Sequence, residues 1–151
     1  MAGANELISI KVDDRELRRV FDKIALIDDN MEPLFSDIGE HLLNSTLQRF
    51  EDQVDPDGVP WAALDPKTID RKKKNADKIL IEYGDLMNDA HYNVGPSSVE
   101  FGFNKIYAAT HQFGDEERSI EARPILGTSA EDDEIILDLA ESYLLKLLQS
   151  V

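Results

Sequence analysis

The chain contains no cysteine. Disulfides, thiolate metal sites and cysteine nucleophiles are therefore excluded. It has only three histidines, His41, His91 and His111, and no two stand four positions apart, so the paired-histidine zinc pattern of a helix is missing. No stretch approaches the roughly 20 apolar residues that cross a bilayer. The opening MAGANELISIKVDD lacks a basic segment followed by an apolar run, so no secretory signal is expected. Positive charge is scarce: 16 Lys and Arg stand against 31 Asp and Glu, a net charge of -15. Phosphate backbones repel such a chain, which argues against broad nucleic-acid binding. The one basic run, RKKK at 71–74, lies between Asp70 and Asp77 and reads as a solvated helix face. Glycine-rich phosphate loops, a serine in a nucleophile elbow and a distinctive carboxylate pair are all lacking. The reading is of a protein with no catalytic residue, no cofactor and no metal.

What is present is enough for one core. Apolar residues make up 42% of 151 residues, the usual size of a single domain, and neither an internal repeat nor a linker divides 1–151. Residues 6–12, ELISIKV, alternate well enough for a short strand. Asp13 with Glu16 offers a helix start, and Leu17, Val20, Phe21, Ile24 and Ile27 follow at helical spacing until about 28–30. Asn30 can cap a second, long helix over 31–52, with Pro33 in its first turn. Its stripe is Leu34, Phe35, Ile38, Leu42, Leu43, Leu47 and Phe50. Pro66 opens a short helix to about 74. Three strands are expected at 91–94, 99–103 and 122–126, the first two joined by a turn at 95–98. IYAATHQF at 106–113 reads as a short helix stopped by Gly114, and 115–121 as an exposed charged loop. Thr128 with Glu131 predicts a capping box for a C-terminal amphipathic helix bearing Ile135, Ile136, Leu139, Tyr143, Leu144, Leu147 and Leu148. The expected fold is α+β: a small, mostly antiparallel sheet packed against the long helix and the C-terminal helix.

The stretch DPDGVPWAALDP at 55–66 concentrates helix and strand breakers around Trp61, the only tryptophan. Asp55, Asp57 and Gly58 mimic the middle of a calcium loop. The first and last ligand positions would be Gln53 and Leu64, so the metal reading fails. A stiff connector pinned by a buried Trp61 is the better reading. Gly58 and Gly84 are expected in left-handed turns. Trp61, Tyr107, His111 and Arg123 are expected to pack around the sheet rather than touch a partner.

Four motifs follow one another along the chain. They are Pro56-Asp57-Gly58 with Trp61, Leu80 with Gly84 and Leu86, Tyr107-Ala108 with His111 and Gly114, and Arg123-Pro124 with Gly127. In order and spacing this set resembles the phage virion morphogenesis proteins, the Mu-type, G-like or tail-completion family. The resemblance covers nearly the whole chain. It implies a structural protein of the neck or tail end of a tailed phage or prophage, forming a hexameric ring that joins tail to head. Partners would be a tail-tube or tail-terminator protein on one side and a head-completion or connector protein on the other, with DNA passing through the ring unbound. The subunit alone would be a monomer. No membrane is implied, and the protein would reside in the virion and, during assembly, in the host cytoplasm. The acidic loop DEERSIEA matches no fixed part of the family pattern. The charge leaves one rival: a small acidic binding module, either a DNA mimic or an inhibitor of a host protein.

Overall fold

A computed structural model describes residues 14–150. The expected strand at 6–12 lies outside them. Helix α1 (Arg15–Ala25) begins one residue later than expected: Asp14, not Asp13, accepts the Leu17 amide through its carboxylate at 3.2 Å. Helix α2 (Glu32–Asp52) is the spine. Asn30 does not cap it in the usual register. Met31 holds the cap position, and the Asn30 side chain instead accepts the Glu32 amide at 3.1 Å. On the α2 stripe Leu34, Phe35, Ile38 and Phe50 are buried, and Thr46 and Arg49 are buried with them.

Helix α2 ends on Gln53 in the left-handed region at φ 60. A residue with a Cβ is disfavoured there, and the side chain offsets this. Its Nε2 donates to the carbonyls of Phe50 and Ile79, and its Oε1 accepts the Ile79 amide. Gln53 thereby ties the end of the spine to the segment 79–81. Helix α3 (Pro66–Arg71) is capped by Asp65 and stops at Arg71, short of the expected 74. The single turn α4 (Asp85–Asn88) follows Gly84 at φ 82.

Strands β1 (His91–Val94) and β2 (Val99–Gly102) form an antiparallel hairpin, with Tyr92 opposite Phe101 and Val94 opposite Val99. The turn closes with the Gly95 amide on the Ser98 carbonyl at 2.8 Å. Two strands are marginal alone, and α2 lies against them. Gly39 makes this close: a Cβ there would overlap the Tyr92 ring, 2.7 Å from its Cγ.

The expected third strand at 122–126 does not form. Pro124 has no amide to offer a ladder, and its neighbours bond to helix α5 (Ala108–Phe113) instead. The Arg123 amide donates to the His111 carbonyl at 2.6 Å, and those of Ile125 and Leu126 to Gln112 Oε1, each at 2.8 Å. Helix α6 (Ala130–Gln149) has a capping box one residue beyond the expected pair: Ser129 with Asp132 rather than Thr128 with Glu131. It packs on α1 and α2. The fold is α+β, and its buried apolar residues fall into two clusters. One joins α1, α6 and the first half of α2 around Leu34, Ile38 and Ile136. The other gathers Phe50, Trp61, Ile81, Leu86, Ala108, Ile125 and Leu126 at the far end of α2.

Candidate functional site

The four motifs, spread over some seventy positions of sequence, meet at the second cluster. Trp61 is 6% exposed, stacks edge-on against Phe50 at 5.4 Å between centroids, and donates its Nε1 to the Pro124 carbonyl at 2.9 Å. Arg123 reciprocates: its guanidinium donates to the carbonyls of Ala62 and Ala63, both at 2.9 Å. Gly127, at φ 142, leaves room for Pro56, whose Cγ lies 3.0 Å from where a Cβ would stand. The first and last motifs thus clasp one another across three contacts.

Two of the loop's acidic residues, Asp55 and Asp65, are occupied locally. Asp55 Oδ1 accepts the amides of Asp57 and Val59, each at 2.9 Å, and Gly58 turns at φ 82 with Asp57 exposed beside it. Among the described residues, no group of three or more metal-ligating side chains could hold a cation.

The second motif supplies Leu86 to the core and Leu80 to its edge. The third motif supplies Ala108, which is buried, while Tyr107 at the start of α5 stays 43% exposed and meets the His111 ring edge-on at 5.9 Å. Burial, and then the Arg123 charge, push the His111 imidazole below its ordinary value, so the neutral ring is favoured. Its Nδ1 is buried with no hydrogen-bond partner. Gly114 ends α5 at φ 74, where a Cβ would lie 2.8 Å from the Ile120 carbonyl oxygen and the Ala122 amide nitrogen. The charged loop that follows is ordered by a short bridge between Asp115 and Ile120 and by Arg118 on Asp115 at 2.7 Å.

Outside this cluster lies an open cleft of about 590 Å³ between α3, the segment 80–86, α5 and residues 119–121. Leu64, Leu80, Ile81 and Leu86 give it an apolar floor, and Tyr83 and Tyr107 rise from its rim. Arg71, Lys72 and Arg123 line it together with Asp65, Glu82, Asp85 and Glu121. Lys72 is held by the carbonyls of Lys78 and Ile81, and burial lowers its ammonium below the ordinary value. The arrangement suits seating a folded surface or a chain segment more than it suits a reaction, because two of its three cations, Lys72 and Arg123, are already engaged with backbone carbonyls.

Two sets of residues were not singled out by their sequence positions. Gln112, buried in α5, replaces a missing strand partner for 125–126. Asp132 is 2% exposed and forms a junction between α2 and α6. Its Oδ1 meets His41 Nε2 at 2.8 Å and accepts Ser45 Oγ at 2.6 Å. Its Oδ2 accepts Arg49 Nη1 at 3.0 Å. Arg49 also reaches the Gly127 carbonyl and the Thr46 hydroxyl. Burial pushes the Asp132 carboxyl up. The bonds from the Ser129 amide, Ser45, His41 and Arg49 outweigh that and hold it below the ordinary carboxylate value. Asp132 could have been noticed as the third residue after Ser129, a capping-box spacing. Arg49 carries no sequence signal beyond its place on the apolar stripe.

The model of the phage virion morphogenesis family matches residues 12–145. The chain is 29% identical over 142 residues to the capsid assembly protein G of Escherichia phage Mu, covering 87% of this chain and 90% of that protein. It is 25% identical over 146 residues to the tail completion protein S of Escherichia phage P2, covering 85% and 97%. No solved structure matches it. A model match over most of the chain, with all four motifs inside it, settles the kinship: the protein belongs to the phage virion morphogenesis family.

Proposed function

We propose that this protein is a structural, non-catalytic component of the neck or tail end of a phage particle. It assembles as a hexameric ring, completes the tail and joins it to the head. Its neighbours are a tail-tube or tail-terminator protein and a head-completion or connector protein, and DNA passes through the ring. It acts in the host cytoplasm during assembly and stays in the virion. Among the described residues, no helix is long and apolar enough to cross a membrane.

The observation that carries this reading is the convergence of the four motifs on one buried cluster beside an open cleft. Here the residues in the family pattern hold a shape. The charge favours the same reading over the acidic-mimic alternative. A phosphate mimic needs its carboxylates on one face, whereas exposed carboxylates occur along α1 (Glu16, Asp22), α2 (Glu32, Glu40, Glu51) and α6 (Glu131, Asp138, Glu141). Deleting the gene from its phage is expected to leave filled heads and tails unjoined. Joined, infectious particles from the deletion would overturn the reading, and capture of a basic host protein without incorporation into virions would restore the alternative.

A further inference from the structure

Charge in this chain is segregated. Residues 65–78 carry 6 Lys or Arg against 3 Asp, while the rest carries 10 against 28. The positive segment is α3 and the residues after it; Arg71 and Lys72 line the cleft, and Lys73 and Lys74 are exposed next to it. Helix α3 has no buried residue, and its one apolar side chain, Ile69, is 41% exposed. At the opposite end of the molecule the turn after α1 shows the reverse pattern. Leu26 is 87% exposed and Ile27 41% exposed, followed at once by Asp28 and Asp29. This turn is fixed in shape. The amides of Ile27 and Asp28 both return to the Ile24 carbonyl at 2.9 Å, and the Asp28 carboxylate accepts the Asn30 amide at 3.0 Å.

The turn precedes the start of α2, whereas the cleft lies past its end, beside the segment that Gln53 ties down. A helix of 21 residues separates them, about 30 Å at 1.5 Å per residue. The two surfaces are therefore out of reach of each other within one molecule. A contact between unlike patches of two copies is heterologous, and repeated round a closing rotation it makes a ring.

We propose that the cleft beside α3 of one copy receives the turn 26–29 of a second copy, with Leu26 on the apolar floor and Asp28 and Asp29 facing Arg71 and the exposed Lys73 and Lys74 that follow α3. The proposal rests on the self-assembly reading above and names its surfaces. Like charge over the rest of the molecule opposes association, whereas here an acidic turn meets a basic segment.

Because the chain has no cysteine, introduced cysteines are unique. A mixture of Leu26→Cys and Ala63→Cys proteins at millimolar concentration is expected to give a disulfide-linked dimer on mild oxidation. Each variant alone should give at least tenfold less, and the double variant a ladder. Lys73→Glu with Lys74→Glu in the Ala63→Cys protein should lower the mixed dimer severalfold, and Asp28→Lys with Asp29→Lys in its Leu26→Cys partner should restore it. Absence of the mixed dimer, or equal yield from Leu26→Cys alone, would overturn the proposal. Retention of duplex DNA that Lys73→Glu with Lys74→Glu abolishes would assign the basic run 71–74 to phosphate and overturn it too. A deletion phage with unjoined heads and tails, together with no ladder, would remove this contact while leaving the morphogenesis role standing.

Discussion

Trp61 shows how one side chain can serve as a fastener. Its ring fills the second cluster and its single polar atom reaches Pro124, so it joins two segments 63 positions apart. Trp61→Ala is expected to lower stability by about 3–5 kcal/mol, as for other buried aromatics. Trp61→Phe should recover most of that and lack roughly 1 kcal/mol for the hydrogen bond. Chemical denaturation of the two variants checks both figures. Asp132 is the other decisive residue. Because its folded carboxyl titrates below the ordinary 3.8, the unfolded chain takes up the proton first. The stabilisation is therefore fully present above that pH and is lost as pH falls from there through the lower folded value. Thermal melts between pH 6 and 2.5 should show a steep acid limb that Asp132→Asn flattens. Asp132→Ala leaves the buried Arg49 guanidinium unpaired and should cost about 3–5 kcal/mol at neutral pH. Neither role was equally visible in sequence. A lone tryptophan among prolines invites attention, whereas an Asp and an Arg on two long helices look like ordinary surface charge until the helices are packed.

Among the elements, the helices were legible because an apolar stripe at 3.6-residue spacing has one solution. Their ends were less so. Asp13 and Asp14, and likewise Thr128 and Ser129, are adjacent residues of equal capping ability, and only tertiary packing chooses between them. The strand expected at 122–126 failed for a reason no alternation can report: a side chain, Gln112, supplies the bonds that a neighbouring strand would have supplied. The hairpin was read from its turn and alternation, but its dependence on α2 was not, since Gly39 in the middle of a helix looks merely weak. Its importance is the approach of Tyr92. Gly39→Ala improves helix propensity by about 1 kcal/mol and yet is expected to destabilise the protein by about 1–3 kcal/mol through overpacking. A lower melting temperature, with amide exchange accelerated first in β1 and β2, would verify it. The four motifs were visible as an ordered set, and what they build was not, because each contributes one or two residues to a cluster that exists only after folding.

For the whole molecule, a net charge of -15 on 151 residues is a standing repulsion. Raising ionic strength from about 0.01 M to 0.15 M shortens the screening length from roughly 30 Å to 8 Å. The melting temperature should therefore rise by several degrees over that range, and scanning calorimetry at fixed pH would measure it. A flat response would mean that local attractive pairs balance the repulsion. The two apolar clusters sit toward opposite ends of α2, and the link between Arg49 and Asp132 joins that helix to α6 between them. Apolar contacts are non-directional and tolerate sliding, while a buried ion pair tolerates very little, because a small separation strands two charges. The joint between the halves is accordingly stiff at small displacement and abrupt at failure. Pulled along its length, such a subunit would act as a brittle strut rather than a spring.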